Sequence, residues 1–562
     1  MLKKIYKYLL SALLFLAAFV YWGFFHYEFL FFHEYYQMFL FSAEYFVQRL
    51  SSVGGLSDYI AEFLTQFYVH QKLGAAILGL LFVFLQLLTN KTFKIFNVNE
   101  NFYPFTFLPS LLMWSFLCNE NLMLNFFIAV LINVLLFVAV EKLPKNTLFL
   151  ILKTIIYLFF YFLTGPSVVI AAFLDGLKNY KKFSFKAFAA LIIIPIEAWL
   201  MSRVIIMPVK LFYDGFDYIR FPFKSYIHLT LYLLCPLLPF VLSFWKKLFS
   251  VKQSCIAMFG VVVIGFFSIF FSLNDITWQT IRMYEYVYQR DWDSAINFYD
   301  KYRTPNSYSV QCLNLALSQK GLLTERMFHY QQPGIFALTV EFQPDMFTAL
   351  PSAEVFYILG AYNLAQRYAF ESQENISNFR YSSKLMLRLA KLAIINKNYP
   401  VARKYLLTLS KTLFYKIQAK KYLQLLEDES KIKDDVEFSL AESIKLEIDG
   451  TQEELQADVV FENLIKKNPK NIGAIEYFQA YAMLTLDSKT IRNSLKYIAA
   501  AGWSKIPRHV QEALVLSYYN EHKTLKNIPQ GISQEVAFAF EKKLLDNTFW
   551  QYAIFIKNQN QQ

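Results

Sequence analysis

The sequence predicts an all-α protein in which a polytopic transmembrane helical domain is followed by a soluble helical-repeat domain. Two observations lead to this prediction. Up to about Leu273 the chain is dominated by Leu, Phe, Ile and Val, and beyond Asn274 charges of both signs appear at ordinary soluble density. Helical periodicity continues through the second half with almost no strand signal. We therefore expect a transmembrane domain over residues 1–273 and a second domain over residues 274–562.

The first half holds about nine candidate membrane spans, because a transmembrane helix needs roughly 20 mostly apolar residues. The candidates lie near residues 8–26, 73–90, 104–118, 122–140, 147–164, 166–177, 187–207, 225–244 and 254–273. The run at 166–177 is short, so the sequence leaves open whether it crosses fully.

Lysine clusters in the loops predict the topology. They lie before the first apolar run and after the second, fourth, sixth and eighth runs, which is the same side of an alternating path. Cytoplasmic loops carry an excess of Lys and Arg. The sequence therefore predicts a multi-pass membrane protein with a cytoplasmic N-terminus and a C-terminal domain on the outer side of the membrane.

The same lysines account for much of the formal net charge of +12. No stacking or basic-stripe pattern accompanies this charge, so we expect no nucleic-acid partner. The four cysteines show no CxxC spacing, which argues against a zinc site or a disulfide framework. P-loop, HExxH, GxSxG and dinucleotide motifs are also absent from the sequence.

The first outer loop, residues 27–72, is rich in aromatic residues but also carries several carboxylates. It divides at Gly54-Gly55 into two helix-like halves. We expect two amphipathic helices that lie parallel to the membrane in its interface.

Within this loop, His33 and Glu34 are the candidate catalytic residues. A carboxylate near the hydrocarbon boundary is costly to leave unpaired, so it usually has a partner or a role. One interpretation is a general base or a metal ligand that faces a lipid-linked substrate. The alternative is an interfacial helix whose Glu and His face water while Phe and Tyr anchor it.

Three basic residues, Arg203, Arg220 and Lys224, are the candidate phosphate-binding residues. They lie at the end of the seventh run and in the outer loop that follows it. Cations at an outer membrane surface can pair with a phosphate or pyrophosphate head group. The alternative is snorkelling and anchoring at the interface.

The second half shows helical pairs with breaks between them. Ala457, Phe461 and Pro469 have the spacing of the A-x3-F…P part of the tetratricopeptide pattern, and Ala295, Tyr299 and Pro305 approach it less closely. The region resembles degenerate tetratricopeptide-type repeats. A single helical hairpin cannot bury its own apolar face, so such pairs are expected to stack.

The first half resembles the GT-C class of membrane glycosyltransferases in layout: a cytoplasmic N-terminus, a first outer loop with two membrane-parallel helices, and an acidic residue soon after the first span. The resemblance implies a polyprenyl-phosphate-linked sugar donor, with Glu34 as base or metal ligand and His33 beside it. Two features depart from the class, since Glu stands where Asp is usual and the second outer loop has no D-x-D motif.

The whole chain also resembles uncharacterised multi-pass inner-membrane proteins of Bacteroidota-type bacteria, through the stretches FHEYYQMF and GGLSDYIAEFLTQFY. This resemblance implies a bacterial inner-membrane location with the C-terminal domain in the periplasm. Two functions stay open at this point. One is a GT-C-like transferase that acts on a membrane lipid or a lipid-linked substrate, with a divalent metal ion as an undecided cofactor. The other is a non-catalytic membrane scaffold whose repeats bind an envelope protein. The sequence does not decide whether the protein is an enzyme.

Overall fold

The computed structural model describes residues 2–205, 207–216, 218–220, 227–245, 250–339, 347–376, 380–446, 457–500 and 502–559. The predicted all-α class is confirmed. Over these residues the only β-type pairing is an isolated antiparallel bridge between Leu122 and Ile219.

The chain divides into two compact units. The first unit contains Met1–Asn274 together with two short segments from later in the chain, Ser377–Arg380 and Lys411–Phe414. Its helices are α1 Leu2–Val20, α2 Tyr27–Tyr35, α3 Ala43–Leu50, α4 Gly55–Thr65, α5 Gln71–Ile95, α6 Leu108–Leu117, α7 Leu124–Val140, α8 Thr147–Thr164, α9 Val169–Phe183, α10 Ala189–Val204, α11 Val209–Asp214, α12 Ile227–Ser243 and α13 Val251–Ser272.

Four helical stretches in the described chain are long and apolar enough to cross a membrane, which indicates a membrane-associated protein. They are Ile5–Phe25, Gln71–Ile95, Thr147–Val204 and Lys252–Ser272. The prediction of nine spans is therefore wrong in number.

Two features explain the lower number. Some apolar runs form helices shorter than a bilayer requires: α6 has 10 residues, since a 3-10 segment at Glu100–Phe107 replaces its first turns, and α7 has 17. The three runs between 147 and 207 fall into one helical stretch of 58 residues. Within that stretch, 3-10 turns at Gly165–Val168 and Ser184–Phe188 separate α8, α9 and α10.

The core of the first unit forms where apolar helices pack along one another. α5 packs against α1 and α7, and α7 also packs against α4 and α9. Polar side chains fix where several helices begin. The Ser42 hydroxyl accepts from the Tyr45 backbone at the start of α3, and Ser250 and Gln253 form a capping box at the start of α13.

The first loop is more divided than predicted. Residues 27–72 form α2, α3, α4 and a 3-10 turn at Gln66–Val69 rather than two helices. The break at Gly54-Gly55 is confirmed, because α3 ends at Leu50 and α4 begins at Gly55. A Cβ on Gly55 would lie 1.8 Å from the Arg49 carbonyl oxygen, so only glycine fits this close approach.

The second unit contains Asp275–Ile376, Tyr381–Ser410 and Tyr415–Gln562. Its helices are α14 Asp275–Gln289, α15 Trp292–Tyr302, α16 Ser307–Gln319, α17 Leu323–Arg326, α18 Leu350–Leu359, α19 Tyr362–Glu374, α20 Ser383–Ile395, α21 Tyr399–Leu409, α22 Lys416–Leu425, α23 Glu429–Asp434, α24 Val436–Ile444, α25 Ala457–Lys467, α26 Ile472–Leu484, α27 Ser488–Ala500, α28 Arg508–His522, α29 Gln534–Glu541 and α30 Phe549–Gln559.

Consecutive helices of the second unit pack on one another, as α18 and α19, α20 and α21, and α25 and α26 do. Ala457 and Phe461, two residues of the repeat pattern, are buried on α25. Neighbouring helices in the described part of the second unit therefore form packed pairs.

Candidate functional site

The first apolar helix ends in a π-helical turn, Tyr21–Phe25, directly before α2. Such turns inside helices occur frequently at functional sites. The α2 helix that follows is buried along almost its whole length, and its Glu28 and Glu34 are 0% and 2% exposed. The interpretation in which Glu34 and His33 face water is therefore wrong for both residues, since His33 is 7% exposed.

Arg220 lies against α2, as part of a cluster that we call the α2 site: His33, Glu34, Tyr36 and Arg220. The Arg220 guanidinium is 5.2 Å from the ring centre of Phe32 and 5.7 Å from that of Tyr36. A guanidinium over aromatic rings is held by the ring quadrupoles and still presents its N–H edges.

The backbone fixes the position of Arg220. Its N–H donates to the Asn121 carbonyl at 2.8 Å, and its Nε donates to the Asn121 side-chain oxygen at 3.2 Å. The Met123 N–H donates to the Tyr218 carbonyl at 2.9 Å on the same edge. These bonds extend the isolated bridge between Leu122 and Ile219, so two loops far apart in sequence hold the guanidinium in place.

Hydrogen bonds define the tautomer of His33. The Tyr36 hydroxyl donates to the Glu120 carbonyl at 3.0 Å and lies 3.1 Å from His33 Nδ1. Because the hydroxyl proton is used on Glu120, we assign the remaining proton to Nδ1, which donates to the Tyr36 oxygen. His33 Nε2 then carries the lone pair.

Burial and the Arg220 charge lower the pKa of His33 to about 3, because both disfavour the imidazolium. His33 is therefore neutral at physiological pH. A neutral imidazole with a lone pair on Nε2 can accept a hydrogen bond or bind a metal ion, while Arg220 supplies a fixed positive charge next to it.

A second cluster lies in the same loop, and we call it the loop charge cluster: Arg49, Asp58, Glu62 and Arg380. Arg49 contacts Glu62 at 2.9 Å. Arg380 contacts Glu62 at 3.2 Å and Asp58 at 3.3 Å. All four side chains are at most 10% exposed. Buried charges are costly without a partner of opposite sign, so the two arginines and the two carboxylates stabilise one another.

Neutral groups complete the loop charge cluster. The Tyr45 hydroxyl donates to Glu62, and the Asn125 amide of α7 donates to Asp58 at 2.5 Å. The Tyr45 hydroxyl also lies 2.9 Å from the carbonyl of Met38, three residues beyond the end of α2. The loop charge cluster thus holds the chain just after the α2 site.

Several buried polar atoms near α2 have no hydrogen-bond partner among the described residues. They are Trp22 Nε1, Trp114 Nε1 and Gln37 Oε1. Gln37 is 1% exposed and its amide nitrogen reaches only the Met123 sulfur, at 3.7 Å. Buried donors and acceptors normally have hydrogen-bond partners. These three atoms therefore indicate that more polar groups surround α2 than the fold itself requires.

The predicted phosphate-binding residues have three different outcomes. Arg220 is brought to His33, as described. Arg203 is exposed at the end of α10, where its guanidinium lies 5.2 Å from the Trp199 ring, an arrangement typical of interfacial anchoring. Lys224 lies outside the described residues. Sequence reasoning missed Arg49 and Arg380, because neither carries a local signal and Arg380 comes from the second half of the chain.

In the described part of the chain, no group of three or more His, Cys, Asp or Glu side chains is arranged to hold a metal ion. The divalent metal therefore stays a prediction, with His33 and Glu34 as its candidate ligands.

The second unit has a groove of about 1,040 Å³ formed by α27, α28, α29 and α30. Its mostly apolar walls include Ile491, Leu516, Tyr519, Phe540, Trp550 and Ile554. Tyr519 and Ile554 are 39% and 47% exposed, so solvent reaches this apolar surface. A surface of this kind suits an apolar peptide or helix.

One protein-family model matches residues 2–542, and its description is that of a family of unknown function. No curated protein and no solved structure matches the chain.

Proposed function

The chain belongs to DUF6057, a family of unknown function, and we propose from its own residues that it is a GT-C-like membrane glycosyltransferase. In this proposal it uses a polyprenyl-phosphate-linked sugar donor at the outer face of a bacterial inner membrane. The N-terminus is cytoplasmic, and residues 274–562 form a tetratricopeptide-like periplasmic domain.

The observation that supports this proposal is the position of Arg220 beside His33 on α2. Arg220 binds the donor phosphate, because its planar fork of N–H groups matches phosphate oxygens. The Glu34 carboxylate, with the neutral His33 beside it, takes the proton from the acceptor hydroxyl as that oxygen attacks the sugar. The bond between the sugar and the donor phosphate breaks, and polyprenyl phosphate leaves with its charge held by Arg220. A loss of negative charge at Glu34 then removes activity without removing the protein.

The test is a Glu34→Gln replacement at the chromosomal locus, with protein abundance and envelope glycans both measured. Gln keeps the size of the side chain and removes its charge. The matched control is Glu44→Gln, because Glu44 is an exposed carboxylate in the same loop. We expect normal abundance and loss of one glycan species for Glu34→Gln, and no change for the control.

An unchanged glycan profile at normal abundance refutes the role of Glu34.

Arg220→Lys separates charge from geometry, because Lys keeps the charge but loses the planar fork. We expect this variant to lower kcat/KM mainly through kcat, because the phosphate that Arg220 binds is the leaving group and gains negative charge in the transition state. Equal activity in Arg220→Lys and the wild type contradicts the phosphate assignment.

A second candidate function, a membrane-anchored scaffold for an envelope protein, is supported by the apolar groove of the second unit. A photo-crosslinking amino acid at Ile554 tests it, with the same group at the exposed Lys505 as the control. A discrete adduct at Ile554 that is absent at Lys505, in cells with unchanged glycans after Glu34→Gln, favours the scaffold. Identical patterns at both positions argue against it.

A further inference from the structure

A small cavity lies at the C-terminal ends of α5 and α7 in the first unit. Its volume is about 250 Å³, below the roughly 300–1,000 Å³ typical of pockets for drug-sized ligands. The lining residues are Lys91, Lys94, Ile95, Val138, Glu141 and Lys142. We call Lys91, Lys94 and Lys142 the lysine trio.

The charge around this cavity is strongly positive. Within the described residues, no carboxylate pairs with an ammonium group of the lysine trio. The one lining carboxylate, Glu141, is engaged elsewhere, since it contacts Lys145 at 2.6 Å and lies 3.9 Å from the buried Lys153. Among the described lining residues, one carboxylate faces three exposed lysines, so the cavity keeps a net positive charge.

A further lysine contacts one of the residues that line the cavity. The Nζ of Lys178, on α9, donates to the carbonyl of Ile95, which itself lines the cavity. This contact satisfies a carbonyl at the end of α5 and brings one more cation close to Ile95. The lysines do more than offset the partial negative charge of the helix end, which amounts to about half an elementary charge.

We propose that this cavity binds the phosphate of an anionic membrane phospholipid. The position fits a lipid, because α5 is one of the four stretches able to cross a membrane and the cavity lies at its end, where head groups would be. Basic pockets between membrane helices are suited to anionic head groups. The proposal does not depend on the proposed transferase function.

The test measures binding of phosphatidylglycerol and phosphatidylcholine to the purified full chain in neutral detergent by native mass spectrometry. The first variant is Lys91→Gln/Lys94→Gln/Lys142→Gln. Each lysine near an anionic surface strengthens binding about fivefold, so we expect about a hundredfold weaker binding of phosphatidylglycerol. Binding of phosphatidylcholine should not change.

Two further variants distinguish binding in this cavity from non-specific attraction of the lipid to the net positive charge of the protein. Val138→Phe fills the cavity without changing any charge, and we expect it to weaken binding of phosphatidylglycerol as well. The matched charge control is Lys420→Gln/Lys505→Gln/Lys526→Gln, which removes three exposed lysines of the second unit. We expect no effect from the control.

Competition by soluble glycerol phosphate identifies the source of the phosphate. If it displaces the lipid only at far higher concentration, the ligand is a phospholipid as proposed. If it binds as tightly as phosphatidylglycerol, the site is for a free phosphate ester and the lipid assignment is wrong. Equal losses in the trio variant and the charge control, or no effect of Val138→Phe, overturn the site itself.

Discussion

Replacement of Arg380 by Met should destabilise the first unit by about 3–5 kcal/mol, the range for removing one partner of a buried ion pair. Arg380 is 2% exposed and contacts both Asp58 and Glu62. Met has a similar volume, so the change removes charge with little loss of packing. Arg380 pairs with two carboxylates, but we expect a loss equal to that of one buried pair. Glu62 still contacts Arg49 at 2.9 Å in the variant.

The assay is denaturant unfolding of the full chain in detergent, with a double-mutant cycle. Asp58 accepts from the neutral Asn125 amide, so Asp58→Asn should relieve the negative charge that loses the Arg380 cation in Arg380→Met. The double variant should recover most of the lost stability, with a coupling energy of at least about 2 kcal/mol. Arg492→Met is the control, because its pair with Glu521 lies at the surface and should contribute little. If the stability losses of Arg380→Met and Asp58→Asn simply add in the double variant, the two charges do not stabilise each other and the reasoning is refuted.

Three other replacements test single features. Gly55→Ala should strongly reduce the amount of folded protein in detergent size-exclusion chromatography, whereas Gly260→Ala, which has open space around it, should not. Burial raises the pKa of Glu476 to about 8, so its stabilising contribution is full below its ordinary value of 4.5 and is lost as pH rises through about 8. Glu476→Gln should make the melting temperature depend less on pH between 4.5 and about 8. Glu521→Gln, at an exposed position, should leave that dependence unchanged. His33 has a lowered pKa of about 3, so its contribution is full above 6.5 and is lost as pH falls towards 3. His33→Gln should reduce this acid sensitivity, and an unchanged melting profile would contradict the assigned burial.

The helical class and the break at Gly54-Gly55 followed from the sequence, because periodicity and glycine pairs are local signals. The number of spans did not. Hydropathy shows that a run is apolar, but it does not show that Pro104 falls in a 3-10 segment or that α8, α9 and α10 form one turned stretch. Those outcomes depend on which helices are neighbours in the fold.

The candidate site was predictable only in part, for the same reason. Glu34, His33 and Arg220 stand out by residue type near apolar runs, and the structure places Arg220 against α2. The loop charge cluster could not be anticipated, since Asp58 and Glu62 acquire their partner from Arg380. Pairing across such a distance leaves no periodic or spacing signal.

The separation of Arg380 from Asp58 also affects the order of events during synthesis. Roughly 320 residues lie between them, so at about 5–20 residues per second the ribosome makes Arg380 about 15–65 s after Asp58. Throughout that interval α4 exists with Asp58 unmatched by this cation. The first loop therefore reaches its final arrangement late in translation, and a nascent chain stalled before Arg380 should still expose α4 to proteases.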